Sequence, residues 1–434
     1  MENVDYRPSA LVPCSIDVMT SFQAPRGTTD ILPDDQRDRL AVQRVCANLA
    51  EKFGYAPILT PTFEDSDLFL RTTGESTDIV QKETYTFDDR GGHSLTLRPE
   101  GTPGVCRAYL ERGLHNTPQP VRLYYIMPMY RFERPQAGRF REFWQFGVEA
   151  LGDSDPAIDA EVIELAWRVL ESFGMTDVTL LVNSIGDAES RPAYLDALRD
   201  YFAPHADSLS PDDQRRLREN TLRVLDSKDE EVQPLLPDAP KSIDYLSDES
   251  KEHWNSLLQS LDALGIRYEI DHTLVRGLDY YTRTVFEFVP PDARRQSTIL
   301  AGGRYDGLIE ELGGQPTPGI GFAMGIERVV AEAKKRGTLT SPDRRTTVLV
   351  AHIGDAAKAS GLRLASELRR AGIAAVLGPP RGLRSQLRYA TSIDATHAVI
   401  IGDDEIANDT VVLRDLSQGE QSEMSRGSLL ELLG

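Results

Sequence analysis

The sequence predicts an α+β fold, an antiparallel-sheet unit with a helical insertion followed by a smaller α/β unit. Three stretches predict it. Residues 121–152, VRLYYIMPMYRFERPQAGRFREFWQFGVEALG, read as strand, turn and strand. Residues 187–265 are charged, helical in pattern and free of glycine until the last position. From Thr346 onward, short apolar strands alternate with helical stretches, the pattern of a wound unit.

Composition narrows the function classes. A chain of 434 residues is long enough for two or three domains. A formal net charge of −20 argues against a general nucleic-acid coat but leaves room for one basic face. No apolar run reaches the roughly 18 residues of a membrane span. Residues 1–22 lack the basic and apolar regions of a signal peptide, and 1–20 are expected to be a disordered extension. Cys14, Cys46 and Cys106 show no paired spacing and the seven histidines no ligand cluster, so neither a disulfide framework nor a zinc site is expected. The cytoplasm is the default compartment.

The elements follow in order. The polar turn at 25–35 opens a helix whose stripe is Leu40, Val42, Val45, Cys46, Leu49 and Phe53, closed by Gly54. Tyr85 and Phe87, then Leu95 and Leu97, alternate about an Arg-Gly-Gly turn and mark a hairpin. It runs into Arg98-Pro99-Glu100-Gly101-Thr102, where a carboxylate and a hydroxyl suit an ammonium group or, equally, an ordinary helix start. In the central hairpin Pro135 and Gly138 supply the turn. Trp144, Phe146, Val148 and Ala150 point one way, and Gln145, Gly147 and Glu149 form a polar face expected to floor a solvent-accessible site. Between Val121 and Arg141 stand five arginines and one acid, Glu133. Guanidinium forks match phosphate oxygens, although a solvated basic hairpin gives the same count.

Asp155 and Pro156 cap the next helix, read as purely structural, and 178–182 is a buried strand. After the insertion, the stretch LVRGLDYYTRTVFEF places Tyr280 and Tyr281 side by side, expected on opposite faces of a strand. The glycines of STILAGGRYDGLIEELGG and GIGFAMGIERVV are read as backbone packed against a planar or phosphorylated ligand, the second group opening a helix. Neither the dinucleotide fingerprint nor the P-loop spacing is present. Strands at 347–351, 373–377 and 397–401 and helices at 355–371 and 383–390 build the last unit, which carries nine basic and eleven acidic residues, a net of −2. Its Arg363, Arg369, Arg370, Arg381, Arg384 and Arg388 suit RNA contact or a solvated helix surface. His352-Ile353-Gly354-Asp355 lacks the final histidine and the partner motif of the unrelated adenylating fold it imitates.

Taken together, LRPEGT, YRFERPQAGRFREFWQFGVE, RGLDYY, AGGRYDGL and GIGFAMGIERVV resemble the class II aminoacyl-tRNA synthetases, and among them the histidyl-tRNA synthetase family closely. NTLRVLDSK is similar to that family's inserted domain and VVLRDL to its anticodon-binding domain, so the likeness spans about 20–434. The resemblance implies an N-terminal extension over 1–20, a catalytic domain over 21–335 with its insertion near 187–265, a linker over 336–345 and an anticodon-binding domain over 346–434.

It also implies the chemistry: histidine and ATP form an aminoacyl adenylate, and the histidyl group passes to the 3′-end of tRNA(His). Arg131 and Arg276 would hold the α-phosphate from two sides, Arg276 as the family's distinctive catalytic arginine. Arg139 and Arg328 would hold the β- and γ-phosphates, with Mg²⁺ accompanying ATP. Glu133 would sit near the adenine or the metal. Glu100, Thr102 and Gln145 would bind the α-ammonium group, Glu149 and Tyr281 the imidazole, and Tyr280 would wall the ligand. A homodimer is implied as well. Regulatory relatives that bind histidine without charging tRNA typically lack the last domain and part of the RGLDYY and arginine set; both are intact here.

Overall fold

The computed structural model describes residues 22–74, 77, 82–133, 139–291, 298–339 and 347–433. Expectations for the 1–20 extension, for residues 340–345 of the linker and for the turn at Pro135 and Gly138 fall outside the described residues. The chain separates into two compact units, Met1–Ser341 and Pro342–Gly434.

The first unit begins with helix α1 (Pro33–Lys52). Pro33 occupies the first helical turn, where a missing N–H costs nothing, and Gly54, at φ 80°, supplies the left-handed turn beyond the helix end. Strands β1 (Ala56–Pro57) and β2 (Phe63–Asp65), helix α2 (Ser66–Thr73) and the hairpin β3 (Tyr85–Asp88) and β4 (Ser94–Leu97) lead to α3 (Thr102–Glu111). The central hairpin is β5 (Val121–Tyr130) with β6 (Glu142–Leu151), followed by α4 (Pro156–Ser172) and β7 (Thr179–Ser184). Next come α5 (Arg191–Phe202), α6 (Pro211–Glu219) and α7 (Asp248–Ala263), joined through short 3-10 turns. Strands β8 (Tyr268–Ile270), β9 (Thr282–Val289) and β10 (Leu300–Arg304), helix α8 (Leu308–Glu311), strand β11 (Gly319–Gly325) and helix α9 (Ile326–Arg336) complete the unit.

Eight strands make one sheet in the order β1-β5-β6-β11-β10-β9-β7-β8. The six inner strands are antiparallel, and each edge strand pairs in parallel with its neighbour. Phe146, Val148 and Ala150 face a core shared with α1, α4, α7 and α9. On the opposite face, Tyr125 and Val285 share a second core with Tyr109 of α3 and Leu198 and Phe202 of α5. The polar face of β6 is therefore only partly open as expected: Gln145 is half-buried, whereas Gly147 is buried and Glu149 is 1% exposed.

The glycine-rich stretch expected to open a helix is instead strand β11, and the helix starts only at Ile326. Gly319 and Gly321 make room for neighbouring protein, whereas nothing crowds Gly325. A Cβ on Gly321 would overlap the Glu149 carboxylate, and one on Gly302 would overlap the Gly321 carbonyl. Residues 187–265 do not stand apart from the sheet either. Trp254, Leu257 and Leu261 of α7 belong to the first core, while Val224 and Leu225 belong to the second. Their apolar stripes need a partner surface, and the two faces of the sheet provide it.

The second unit comprises β12 (Thr347–His352), α10 (Asp355–Arg370), β13 (Ala374–Leu377), α11 (Leu383–Ser392), β14 (His397–Ile401), α12 (Asp403–Asn408), β15 (Thr410–Asp415), β16 (Gln421–Ser425) and α13 (Arg426–Leu433). Its sheet runs β13-β12-β14-β15-β16, with the first three strands parallel. β15 and β16 add an antiparallel hairpin that the wound pattern does not announce.

Candidate active site

Every side chain expected in the site except Glu149 lines one cavity of about 340 Å³ on the second face of the sheet. That size falls within the usual range for small-molecule sites. β5 and β6, the start of α3, the 274–281 loop and the start of α9 all contribute to it.

One end of the cavity is cationic. Arg131 donates through Nε to the Pro99 carbonyl at 2.8 Å, and its guanidinium lies 5.4 Å from the Phe143 ring centre. Arg139 Nη1 is 3.2 Å from Glu133 Oε2. Arg328 donates to the Thr298 carbonyl at 2.6 Å. Burial pulls the Arg328 pKa down most and Arg139 pushes it down further; Glu133 pulls it up more than Arg131 pushes it down, and Glu287 adds a weaker upward pull. Three guanidiniums close enough to repel one another are in the arrangement that an anion relieves. Arg276 enters from the 274–281 loop, paired with Glu287, its guanidinium 5.9 Å from the Tyr281 ring centre. Its Nε is buried with no hydrogen-bond partner.

The other end is lined by hydroxyls and an amide. The Tyr280 hydroxyl donates to Glu100 Oε2 at 2.7 Å. Tyr280 and Tyr281 do not face apart: their rings are 4.7 Å between centres and both line the cavity. They precede β9 in irregular backbone, where strand alternation has no hold. Gln145 Oε1 is buried with no partner, an acceptor with unused capacity.

Glu149 lies just beneath this end. Oε1 accepts from Thr102 Oγ1 at 2.7 Å and from the Tyr125 hydroxyl at 3.3 Å, and Oε2 accepts from the Tyr305 hydroxyl. Burial pushes its pKa up to about 8, even though the hydrogen bonds from Tyr305 and Thr102 favour the carboxylate; the nearby Glu100 adds to the rise. Thr102 and Tyr305 themselves line the cavity and stand between it and this carboxylate.

The sequence reading missed Tyr125, Tyr305 and Glu287 as site residues. Tyr305 stood within AGGRYDGL, but its bond to Glu149 spans 156 residues and leaves no local trace. Asp226 and Lys228, from the 187–265 stretch, also line the cavity. Ser227 between them is buried and donates to Asp213 Oδ2 at 2.6 Å, so its neighbours project outward. Helix α4, expected to be purely structural, brings Asp159 to the buried Arg304 next to Tyr305, with His253 Nε2 2.9 Å from Asp159 Oδ2.

Comparison with known proteins identifies the family. Residues 27–329 match the family model described as histidyl-tRNA synthetase, and 347–434 match that of an anticodon binding domain. The histidine–tRNA ligase of Dehalococcoides mccartyi (strain ATCC BAA-2266 / KCTC 15142 / 195) is 48% identical over 410 residues, covering 94% of this chain and 98% of that protein. The crystal structure of apo S. aureus histidyl-tRNA synthetase aligns with a TM-score of 0.80 at 35% identity, over 95% of this chain and 99% of that one. An ATP phosphoribosyltransferase regulatory subunit/histidyl-tRNA synthetase from Bacillus halodurans C shares the fold, with a TM-score of 0.63 at 23% identity over 88% and 98% of the two chains.

Proposed function

Since the chain belongs to the histidyl-tRNA synthetase family and acts as a histidine–tRNA ligase, we propose that its cavity holds ATP at the arginine end and histidine at the hydroxyl-lined end. The histidine carboxylate attacks the α-phosphorus, pyrophosphate leaves, and the 3′-terminal adenosine of tRNA then takes the histidyl group from the adenylate. The protein supplies no nucleophile. Its contribution is position and charge. Arg131 and Arg276 bind the α-phosphate and stabilise the charge that builds on its oxygens. Arg139 and Arg328 hold the β- and γ-phosphates.

Gln145 Oε1, Glu100 and Thr102 receive the α-ammonium group. Tyr281 meets the imidazole directly and Glu149 acts on it through Thr102 and Tyr305, the two side chains between that acid and the cavity, with Tyr280 as the adjacent wall. Side chains without matching hydrogen-bonding groups are rejected because these buried polar atoms would then go unpaired. Among the described residues, no group of three or more His, Cys, Asp or Glu is placed to hold a metal. Mg²⁺ would accompany the triphosphate, with Glu133, 3.2 Å from Arg139, as a carboxylate at that end of the cavity. When bound, it would neutralise phosphate charge.

The second unit, which matches an anticodon-binding domain, would meet the tRNA through the arginines of α10, α11 and the intervening Arg381. The reading extends to a homodimer working in the cytoplasm. No helix among the described residues is long and apolar enough to cross a membrane.

The observation that carries this reading is the gathering of Arg131, Arg276 and Arg328 in one cavity with Gln145, Tyr280 and Tyr281. Histidine-dependent ATP–pyrophosphate exchange tests it. Histidine alone among the amino acids should drive exchange, and Arg276→Ala should lower it at least 100-fold. Exchange driven by another amino acid, or undiminished in that variant, would refute the assignment.

A further inference from the structure

We propose that Glu287 is the positioning residue for Arg276, holding one edge of its guanidinium so that the remaining donors face the α-phosphate. The inference rests on the role given to Arg276 above.

Glu287 stands on β9, inside the sheet, paired with Ala301 of β10 on one side and Leu181 of β7 on the other. Ladders on both sides fix its backbone, and its side chain is only 7% exposed. Arg276 instead sits in irregular backbone beside Gly277, whose missing side chain leaves open space on the loop. A mobile-ended side chain on such a loop needs an anchor to hold one rotamer.

The carboxylate provides that anchor from a rigid element. Oε1 accepts from Arg276 Nη1, and Oε2 accepts from Thr298 Oγ1 at 2.8 Å. The Thr298 carbonyl in turn accepts from Arg328 at 2.6 Å. Glu287 thus reaches both the α-phosphate arginine and, through Thr298, an arginine of the β/γ-phosphate group.

A guanidinium has five N–H donors in a planar fork. Glu287 engages Nη1, while Nε is buried with no partner. Charge supports the same arrangement. Without Glu287, Arg276 would enter a cavity that already holds Arg131, Arg139 and Arg328 and would lose the carboxylate with which it pairs. Fixing the donor before substrate arrives removes a rearrangement from the reaction.

A double-mutant cycle in the full chain separates positioning from bulk structure. Glu287→Gln, Arg276→Ala and the double variant are compared by histidine-dependent ATP–pyrophosphate exchange, with kcat and the KM for ATP measured separately and thermal melting recorded for each. Glu287→Gln should lower kcat at least tenfold, with the KM for ATP changed less than about threefold. The double variant should be no slower than Arg276→Ala alone, within about threefold. Glu287→Asp, which keeps the charge on a shorter arm, should recover part of the loss, and it replaces Glu287→Gln in the cycle should the latter fail to fold. Multiplicative losses in the double variant, or full kcat in Glu287→Gln, would overturn the role of Glu287. Full exchange in Arg276→Ala would instead remove the site reading beneath it.

Discussion

The Tyr305 hydroxyl donates to Oε2 of Glu149, and Gly321, across the sheet on β11, leaves the space in which that carboxylate lies. An acid, a phenol and a glycine from three separate stretches thus form one buried unit under the cavity. Burial places the Glu149 pKa at about 8, above the ordinary 4.5. The protonated form is favoured in the folded chain. The stability this group contributes is therefore complete below pH 4.5 and is lost as pH rises through about 8, by on the order of a few kcal/mol. Denaturation of the wild type and Glu149→Gln from pH 5 to 9 checks this. The wild type should lose stability relative to the variant across that window, and parallel curves would contradict it.

Gly321→Ala should destabilise the chain by about 1–3 kcal/mol and raise the KM for histidine. A methyl group there would press on both the Val148 carbonyl and the Glu149 carboxylate, and the carbonyl belongs to a sheet ladder that cannot yield cheaply. Thermal melts and exchange kinetics report the two effects separately.

Gln145→Leu removes the unused acceptor while keeping similar bulk. A hydrogen bond to a charged group contributes about 1.5–3 kcal/mol, so the KM for histidine should rise about 10- to 100-fold. The KM for ATP should stay within about threefold. An equal change in both constants would place Gln145 outside the histidine end.

Asp159→Asn tests the buried pair with Arg304. Both side chains are 0% exposed, and the variant leaves the guanidinium with Asp306, 3.1 Å from Nη1, as its remaining counter-charge. The expected cost is about 2–3 kcal/mol, measured by urea denaturation. Burial alone would raise the Asp159 pKa, but Arg304 and then His253 outweigh it and hold the value at about 2. This stabilisation is present above the ordinary 3.8 and disappears as pH falls through about 2, so the gap between wild type and variant should close under strong acid.

Inorganic pyrophosphate, without ATP, should raise the melting temperature of the wild type. The effect should shrink in Arg328→Met, because the anion relieves repulsion among Arg131, Arg139 and Arg328. A differential scanning measurement at fixed ionic strength decides it, since a general salt effect would shift both proteins equally.

Much of the fold could be read along the chain. The β5–β6 hairpin, the Asp155 cap followed by Pro156, and the close of α1 at Gly54 all stand where the residues place them. Each depends on neighbours a few positions away: alternation of side chains, an orphan N–H and a left-handed turn. The charge inventory of 121–141 counted Arg131 and Arg139 among its five arginines, and the family resemblance singled out these two, which line the cavity. Where the same reading erred, local pattern yielded to packing. The glycines of 319–325 look like the opening of a helix, yet they form a strand because β6 and β10 offer ladders on both sides.

Residue types and their order, read through the family resemblance, therefore carried the proposal for this protein's chemistry: guanidiniums for phosphate, carboxylates and phenols for a polar side chain, and the arginines of the second unit for RNA. Tertiary packing alone decided how those groups are poised. It put Glu149 under Tyr305 rather than open to water, turned Tyr280 and Tyr281 to the same cavity, and set Glu287 against Arg276. The division has a physical cause, since caps, turns and alternation act over a few bonds. The environment of a buried charge depends instead on segments more than a hundred residues apart that only the closed sheet brings together.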